Sequence, residues 1–215
     1  MHDEPGLFAT MYSLRAMRRL KPDPVPAALV ERIIEAGTQA PSGANTQPWA
    51  FLVVTDPQAK RFFGERYEHW LKTRFAPMFA TLDWDSSMGR TTKAALHLAE
   101  HMHEVPVLLM ACGRRDWPFA VPPEARVGQA PPSYGSVYPC VQNMLLAARA
   151  LGLGASLTTM HQMFEDELHA HFGIPADYGV VAVLPIGWPR GRFGPVAREP
   201  AAGKTHYERW GGTRT

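Results

Sequence analysis

Two apolar runs constrain the fold of this chain more than any other feature. Residues 105–113 read VPVLLMACG and residues 178–188 read YGVVAVLPIGW, each almost free of polar side chains. Runs of this length are typical of buried strands and are too short to cross a bilayer. Segments with helical spacing separate them, and two such segments precede the first strand-like run, residues 49–55. This order predicts a single α+β domain over residues 1–215, with helices packed against a central sheet.

Composition narrows the class of protein. The chain has 215 residues, of which 46% are hydrophobic and 20% charged, and its formal net charge is +2. That charge is too small, and the Lys and Arg residues too dispersed, for a nucleic-acid surface. Cys112 and Cys140 form no CxxC pair and are typical of reduced core thiols. With neither a signal peptide nor a membrane-spanning stretch recognisable, we expect a cytoplasmic protein without a membrane partner.

Three arginines near the N-terminus form the first candidate site. Residues 6–20 have helical spacing, which places Arg15, Arg18 and Arg19 at positions i, i+3 and i+4. A helix would bring these guanidinium groups together, and guanidinium forks match phosphate oxygens. A solvated basic helix end is an equally good interpretation of this segment alone.

The second candidate site is the loop APSGANTQPW, residues 40–49. It holds more small hydrogen-bonding residues than a plain turn requires. The hydroxyl and amide groups would suit a polyol chain or the edge of a heteroaromatic ring, and they belong to Ser42, Asn45, Thr46 and Gln47. An ordinary capped loop is the alternative for this segment.

The third candidate is GLGASLTTM, residues 152–160, in which Thr158 and Thr159 could offer hydroxyl or N–H donors to a ligand. For this segment alone, a strand paired in the sheet is the better explanation. The glycines do not form a GxGxxG motif, so no dinucleotide-binding Rossmann unit is predicted. The sequence also contains no HExxH or GxSxG motif, and we expect neither a bound metal nor a catalytic side chain.

Taken together, three stretches resemble the FMN-dependent nitroreductase family in content, order and spacing. They are SLRAMRRLKPDPVP, APSGANTQPWAFLVVTD and QNMLLAARALGLGASLTT. The resemblance covers nearly the whole chain and implies a mainly antiparallel central sheet flanked by helices. It also implies a homodimer with two FMN sites at the interface, each built by both subunits. From the residues themselves we expect a long loop at residues 114–133, which are rich in Pro and Arg without periodicity. The tail, residues 189–215, has no core of its own, so we expect it to be extended and to wrap around the partner subunit.

The same resemblance assigns roles to individual residues. The phosphate of FMN would be held by Arg15, Arg18 and, from the tail, Arg198, with Ala16 and Arg19 beside them. The facing subunit would supply the loop residues Pro41, Ser42, Gly43, Asn45 and Gln47. The N5 and O4 edge of the flavin would meet Thr158 and Thr159, and the helix below the ring carries Gln142 and Asn143. Ala16 departs from the family, which usually has serine there.

The resemblance also implies a reaction. Hydride would pass from NAD(P)H to N5 of the flavin, and then by a ping-pong mechanism to an electron-poor acceptor such as a nitroaromatic, a quinone or an activated alkene. Because the flavin carries this chemistry, no catalytic side chain is required. Two alternatives stay open: a flavin-binding or storage module without turnover, and an enzyme of the same fold that removes halogen or fragments the flavin.

Overall fold

The two apolar runs form the two central strands of a four-stranded antiparallel sheet. A computed structural model describes residues 5–116 and 134–212 of the chain. The strands are β1 (Trp49–Val54), β2 (Val107–Arg114), β3 (Gly154–Ala155) and β4 (Tyr178–Gly187), in the order β1-β2-β4-β3. The described helices are α1 (Leu7–Ser13), α2 (Ala27–Thr38), α3 (Pro57–Thr81), α4 (Ser87–Glu100), α5 (Tyr134–Ala150) and α6 (Glu165–Phe172). The predicted α+β architecture, a central antiparallel sheet flanked by helices, is confirmed.

The sheet separates two apolar cores, as the period of a strand requires. Leu109 and Ala111 of β2 face one core, which also contains buried residues of α2 and α5. Leu108 and Met110 face the other core, which contains buried residues of α3, α4 and α6. Both faces of β2 are thus covered, which explains why its sequence is apolar without alternation.

Local signals set the helix starts as predicted. Asp56 caps α3 by accepting a hydrogen bond from the Ala59 N–H at 2.8 Å, and Pro57 occupies the first turn. In the sequence, a proline at position 139 is compatible with either a helix start or a kink. In the structure, Pro139 lies inside α5, which is described from Tyr134 to Ala150. Pro139 has no N–H to donate to the carbonyl four residues earlier, which belongs to Gly135. Because Gly135 is exposed, its carbonyl can bond water instead.

The helix predicted over residues 6–20 is wrong in its second half. Helix α1 ends at Ser13, and the chain then runs extended beside the sheet. The Met17 N–H donates to the carbonyl of Ala155 at 2.9 Å, and the Lys21 N–H donates to that of Trp188 at 2.8 Å. These long-range main-chain bonds satisfy the backbone in place of helical ones. We call residues 14–20 the arginine segment.

Two further expectations concern the loop and the tail. Of the loop expected at residues 114–133, residues 117–133 lie outside the described part of the chain, and Arg114 ends β2. The tail is exposed from Ala197 to Gly211 and contains one short 3₁₀ turn, Ala201–Lys204. Wrapping of the tail around a partner stays a prediction. Within residues 5–116 and 134–212, no helix combines the length and apolarity needed to span a bilayer.

Candidate functional site

The arginine segment lines two cavities that share Arg15 and Ala16. The larger cavity has a volume of about 660 Å³ and is bounded by α1, α5, the residues at β3 and the start of the tail. The smaller one, which we call the arginine cleft, has a volume of about 490 Å³ and is bounded by the arginine segment, Ala94 of α4 and residues 190–192. The extended conformation of residues 14–20 thus lets one short segment face both spaces.

The larger cavity brings together four of the predicted site residues from three distant parts of the chain. They are Arg15 and Ala16 of the arginine segment, Gln142 of α5 and Arg198 of the tail. Apolar side chains such as Leu145 and Val196 make up much of the remaining wall. A mostly apolar pocket that also contains guanidinium groups suits a ligand with a flat ring system and an anionic end.

A buried serine that the sequence analysis missed also lines this cavity. Ser156 is 3% exposed, and its Oγ has no hydrogen-bond partner in the described part of the chain. Leaving such a group unpaired costs about 1–3 kcal/mol, so a polar ligand atom in the cavity would be stabilising. With the guanidiniums of Arg15 and Arg198, this donor set fits FMN. The one sequence signal was a serine next to an otherwise apolar strand.

Thr158 uses its main chain in the sheet. Its N–H donates to the carbonyl of Val183, and its carbonyl accepts from the Val183 N–H, both at 3.0 Å. The alternative of a paired strand is therefore correct for this residue, and its N–H is not available to a ligand. Thr159 is exposed, and its carbonyl accepts a hydrogen bond from the Gln162 N–H at 3.1 Å.

The Thr158 hydroxyl contacts a second residue that the sequence analysis missed, Tyr67. Thr158 Oγ1 donates to the hydroxyl of Tyr67 at 3.0 Å, and Tyr67 is 5% exposed. Burial raises the pKa of Tyr67, while the hydrogen bond from Thr158 and the charge of Arg18 oppose that rise. The charge of Arg18 thus reaches this hydroxyl pair. The sequence analysis assigned Tyr67 no role.

The loop at residues 41–47 is bonded mainly to itself. The Gln47 N–H donates to Ser42 Oγ at 3.0 Å, and the Gly43 N–H donates to Ser136 Oγ at 3.3 Å. The loop lines neither the larger cavity nor the arginine cleft. Its predicted site residues other than Ser42 are exposed: Pro41, Gly43, Asn45 and Gln47. A contribution of this loop to a site on a facing subunit stays a prediction.

Three residues of this loop adopt left-handed backbone conformations without being glycine. The φ angles are 47° at Ala44, 54° at Asn45 and 49° at Gln47. Each costs roughly 1 kcal/mol relative to ordinary backbone. Such strain persists where the surrounding structure or a ligand compensates for it, and it is found most often at functional sites.

The two neighbouring amides of α5 differ in their environment. Gln142 is exposed and lines the larger cavity. Asn143 is half-buried, and its Nδ2 donates to the carbonyl of Ala36 at 3.4 Å. Of the pair, Gln142 is thus free to reach a ligand, whereas Asn143 ties α5 to α2.

Other reactive groups do not assemble into a second centre. The rings of His97 and His101 stack at 4.1 Å, but within residues 5–116 and 134–212 no three His, Cys, Asp or Glu side chains are placed to hold a metal ion. Burial raises the pKa of Cys112 and of Cys140 to about 11. Both thiols are therefore protonated at neutral pH and are poor nucleophiles.

Comparison with known proteins agrees with this geometry. The chain is 31% identical over 191 residues to a protein of Thermus thermophilus named NADH dehydrogenase, an alignment that covers 86% of this chain and 88% of that protein. It is 23% identical over 185 residues to the iodotyrosine deiodinase of Nematostella vectensis, covering 85% of this chain and 66% of the deiodinase.

A solved structure of a deiodinase has a similar fold. The crystal structure of an oxidized iodotyrosine deiodinase bound to FMN and 3-iodo-L-tyrosine superposes with a TM-score of 0.74 at 23% identity, covering 95% of this chain and all of the other. The sequence model of the nitroreductase family matches residues 13–188. This match includes the arginine segment, the loop at residues 41–47 and all four strands, and the chain therefore belongs to the nitroreductase family.

Proposed function

We propose that this protein is an FMN-dependent oxidoreductase that moves hydride from NAD(P)H to a small electron-poor acceptor. The observation that carries the proposal is the larger cavity of about 660 Å³, which combines two guanidinium groups with the unpaired buried hydroxyl of Ser156. When bound, FMN supplies the hydride chemistry. The protein residues bind the cofactor and orient it, and they keep water from the reacting region.

Arg15 and Arg198 would hold the phosphate of FMN. Both line the larger cavity, and within the described part of the chain neither forms a salt bridge. A guanidinium can donate two parallel hydrogen bonds to one phosphate. The family serine replaced by Ala16 would have added a hydroxyl, and its loss costs about 0.5–1.5 kcal/mol if unreplaced. Ser156, which lines the same cavity, carries another hydroxyl.

The ring of FMN would lie toward Thr158 and Arg18. Thr159 is exposed beside Thr158, so its N–H and hydroxyl are accessible to the edge of a ring. The Tyr67 hydroxyl fixes the Thr158 side chain, which keeps this edge rigid. The charge of Arg18 would favour negative charge on a ligand held here.

A second copy of the chain would complete each site. The loop at residues 41–47 presents unpaired amide groups to solvent and carries three left-handed residues. Docking against a ligand on a facing subunit would compensate for that backbone strain. We therefore propose a homodimer in which Ser42, Asn45 and Gln47 reach the FMN of the partner.

Reductive removal of halogen is a second candidate reaction. The structure of iodotyrosine deiodinase, bound to FMN and an iodinated amino acid, shares the fold at a TM-score of 0.74. Reduction of a nitroaromatic and loss of iodide from 3-iodotyrosine are therefore the two assays to compare. A preference for the first identifies a nitroreductase-like acceptor and a preference for the second a dehalogenase.

The proposal is tested first by cofactor content. The purified protein should be yellow and contain FMN, whereas the double variant Arg15→Ala/Arg198→Ala should be colourless and folded by circular dichroism. Arg61→Ala, which removes an exposed arginine of α3, is the matched control and should retain FMN. Stoichiometric FMN in the double variant would refute the phosphate assignment. Bound flavin that neither NADH nor NADPH reduces without oxygen would indicate a storage module.

A further inference from the structure

The arginine cleft contains more positive charge than one FMN phosphate requires. Five of its lining residues are arginines: Arg15, Arg18, Arg19, Arg190 and Arg192. Within residues 5–116 and 134–212, no acidic side chain lines it and none of the five forms a salt bridge. An arginine cluster without carboxylate partners repels itself and binds anions strongly.

Main-chain hydrogen bonds hold this cluster together independently of its charge. The Arg190 N–H donates to the carbonyl of Arg19 at 2.9 Å, and Arg190 Nε donates to the carbonyl of Leu20 at 3.1 Å. The two arginine-bearing stretches therefore lie side by side in the folded protein. Because the Arg190 guanidinium is already anchored, it loses less conformational entropy when it binds a ligand.

The same positive charge lowers the pKa of a neighbouring histidine. Burial lowers the pKa of His97, on α4, and the charge of His101 lowers it further. The charges of Arg19 and Arg190 act in the same direction. The charge of Glu100 acts in the opposite direction but is the smallest of these contributions, and a bound anion would add to its effect.

Charge and shape together indicate the kind of ligand. If Arg15 binds the single phosphate of FMN in the larger cavity and Arg18 lies toward the flavin ring, three guanidiniums still line the arginine cleft, those of Arg19, Arg190 and Arg192. A phosphate monoester carries about two negative charges at neutral pH, so three guanidiniums match more than one phosphate group. The described lining contains no aromatic ring on which a base could stack, which favours phosphates over rings. The cleft adjoins the larger cavity through Arg15 and Ala16, so one extended molecule can reach both.

We propose that the arginine cleft binds the phosphate groups of the hydride donor and makes this protein prefer NADPH to NADH. The inference rests on the proposed function, because it requires a nicotinamide dinucleotide as donor. NADPH and NADH share a pyrophosphate, and NADPH adds a 2′-phosphate monoester. That extra dianion is what the guanidiniums of Arg190 and Arg192 would recognise, since neither is needed for FMN.

The test uses the FMN-loaded protein and the double variant Arg190→Ala/Arg192→Ala, with Arg61→Ala as the control for loss of an exposed arginine. Calorimetry measures the binding of 2′,5′-ADP and of 5′-ADP, two probes that carry no hydride. Rapid anaerobic mixing gives the Kd of NADPH and of NADH. We expect the double variant to bind NADPH and 2′,5′-ADP about tenfold to hundredfold more weakly. NADH, 5′-ADP and FMN should change about threefold at most.

Three outcomes would overturn the inference. One is an unchanged affinity for NADPH and 2′,5′-ADP in the double variant. Another is an equal loss for both nicotinamides, which would remove the discrimination. The third is a parallel loss of FMN, which would assign the cleft to the cofactor. Because the single variant Arg192→Ala removes a side chain with no described hydrogen bond, it repeats the test should the double variant fold poorly. The binding of 2′,5′-ADP needs no turnover, so it tests the cleft even if the proposed oxidoreductase activity fails.

Discussion

The arginine segment and the loop at residues 41–47 are both polar stretches with predicted roles at the FMN site, but the fold treats them in opposite ways. The arginine segment is bonded to the sheet through its main chain and lines two cavities of its own subunit. The loop is exposed, bonded largely to itself and strained at three positions. The arginine segment thus has its main-chain partners within a single chain, whereas the loop exposes its polar groups to solvent.

The contrast shows what main-chain pairing does for a binding site. Pairing with β3 and residues 188–190 holds the backbone of the arginines in place whether or not a ligand is bound. Binding an anion therefore costs these residues little conformational entropy. The loop has no such support, and its left-handed residues raise its free energy in the isolated subunit. We therefore expect backbone changes in the first region to affect both stability and FMN affinity, and changes in the second to affect mainly FMN affinity.

The largest expected effect comes from displacing the arginine segment. In Gly154→Ala, the new Cβ would lie 2.9 Å from Met17 Cβ and 2.8 Å from Leu20 Cδ2, closer than carbon atoms pack. The segment must shift away from β3, and we expect the free energy of unfolding in urea to fall by about 1–3 kcal/mol. FMN affinity should fall with it. Gly203→Ala, where a Cβ meets no atom within 4 Å, is the control. Equal stability of the two variants would contradict the rigid pairing.

A smaller effect is expected in the loop, and on a different quantity. Ser42→Ala removes the acceptor of the Gln47 N–H, an exposed hydrogen bond, and should lower the unfolding free energy by less than about 1 kcal/mol. FMN affinity, measured by quenching of flavin fluorescence, should fall about threefold to tenfold.

A mixed dimer distinguishes a loop that serves its own subunit from one that serves its partner. A dimer of one Arg15→Ala subunit and one Ser42→Ala subunit should contain one site of unimpaired FMN affinity and one doubly impaired site. Two singly impaired sites, with neither at full affinity, would show that each loop acts on its own subunit.

The smallest effect concerns electrostatics at the arginine segment. Because the charge of Arg19 contributes to the lowered pKa of His97, Arg19→Gln should raise that pKa in an NMR titration. Asn45→Ala, in the loop, should leave it unchanged. A pKa of His97 that does not respond to Arg19→Gln would mean that the charge of Arg19 does not contribute to it.

Much of the fold could be predicted because local and global signals agree. The apolar runs of β2 and β4 are buried on both faces, and Asp56 and Pro57 mark the start of α3. The conformation of residues 14–20 could not be predicted, because helical spacing there competes with main-chain partners at Ala155 and Trp188. Those partners lie more than 130 residues away in the sequence, and no local pattern reveals them.

The candidate site divides in the same way. Its residue types were visible in the sequence, including Arg15, Gln142 and Arg198, which the fold brings to one cavity. The contributions of Ser156 and Tyr67 were not, because no local sequence pattern distinguishes a buried serine or tyrosine that lies at a site from any other. Only their burial and hydrogen bonding single them out.

By itself, the sequence determined the fold class, the family and the chemical groups available for binding, because apolar periodicity and short motifs are properties of local sequence. Tertiary structure alone decided that the arginines lie on an extended segment rather than a helix. It also decided that Arg190 and Arg192 line the same cleft as these arginines. The Thr158 N–H is likewise unavailable to a ligand only because the folded sheet pairs it with the carbonyl of Val183. The physical reason is that a backbone polar group takes whichever partner the completed sheet offers, and that partner is distant in sequence.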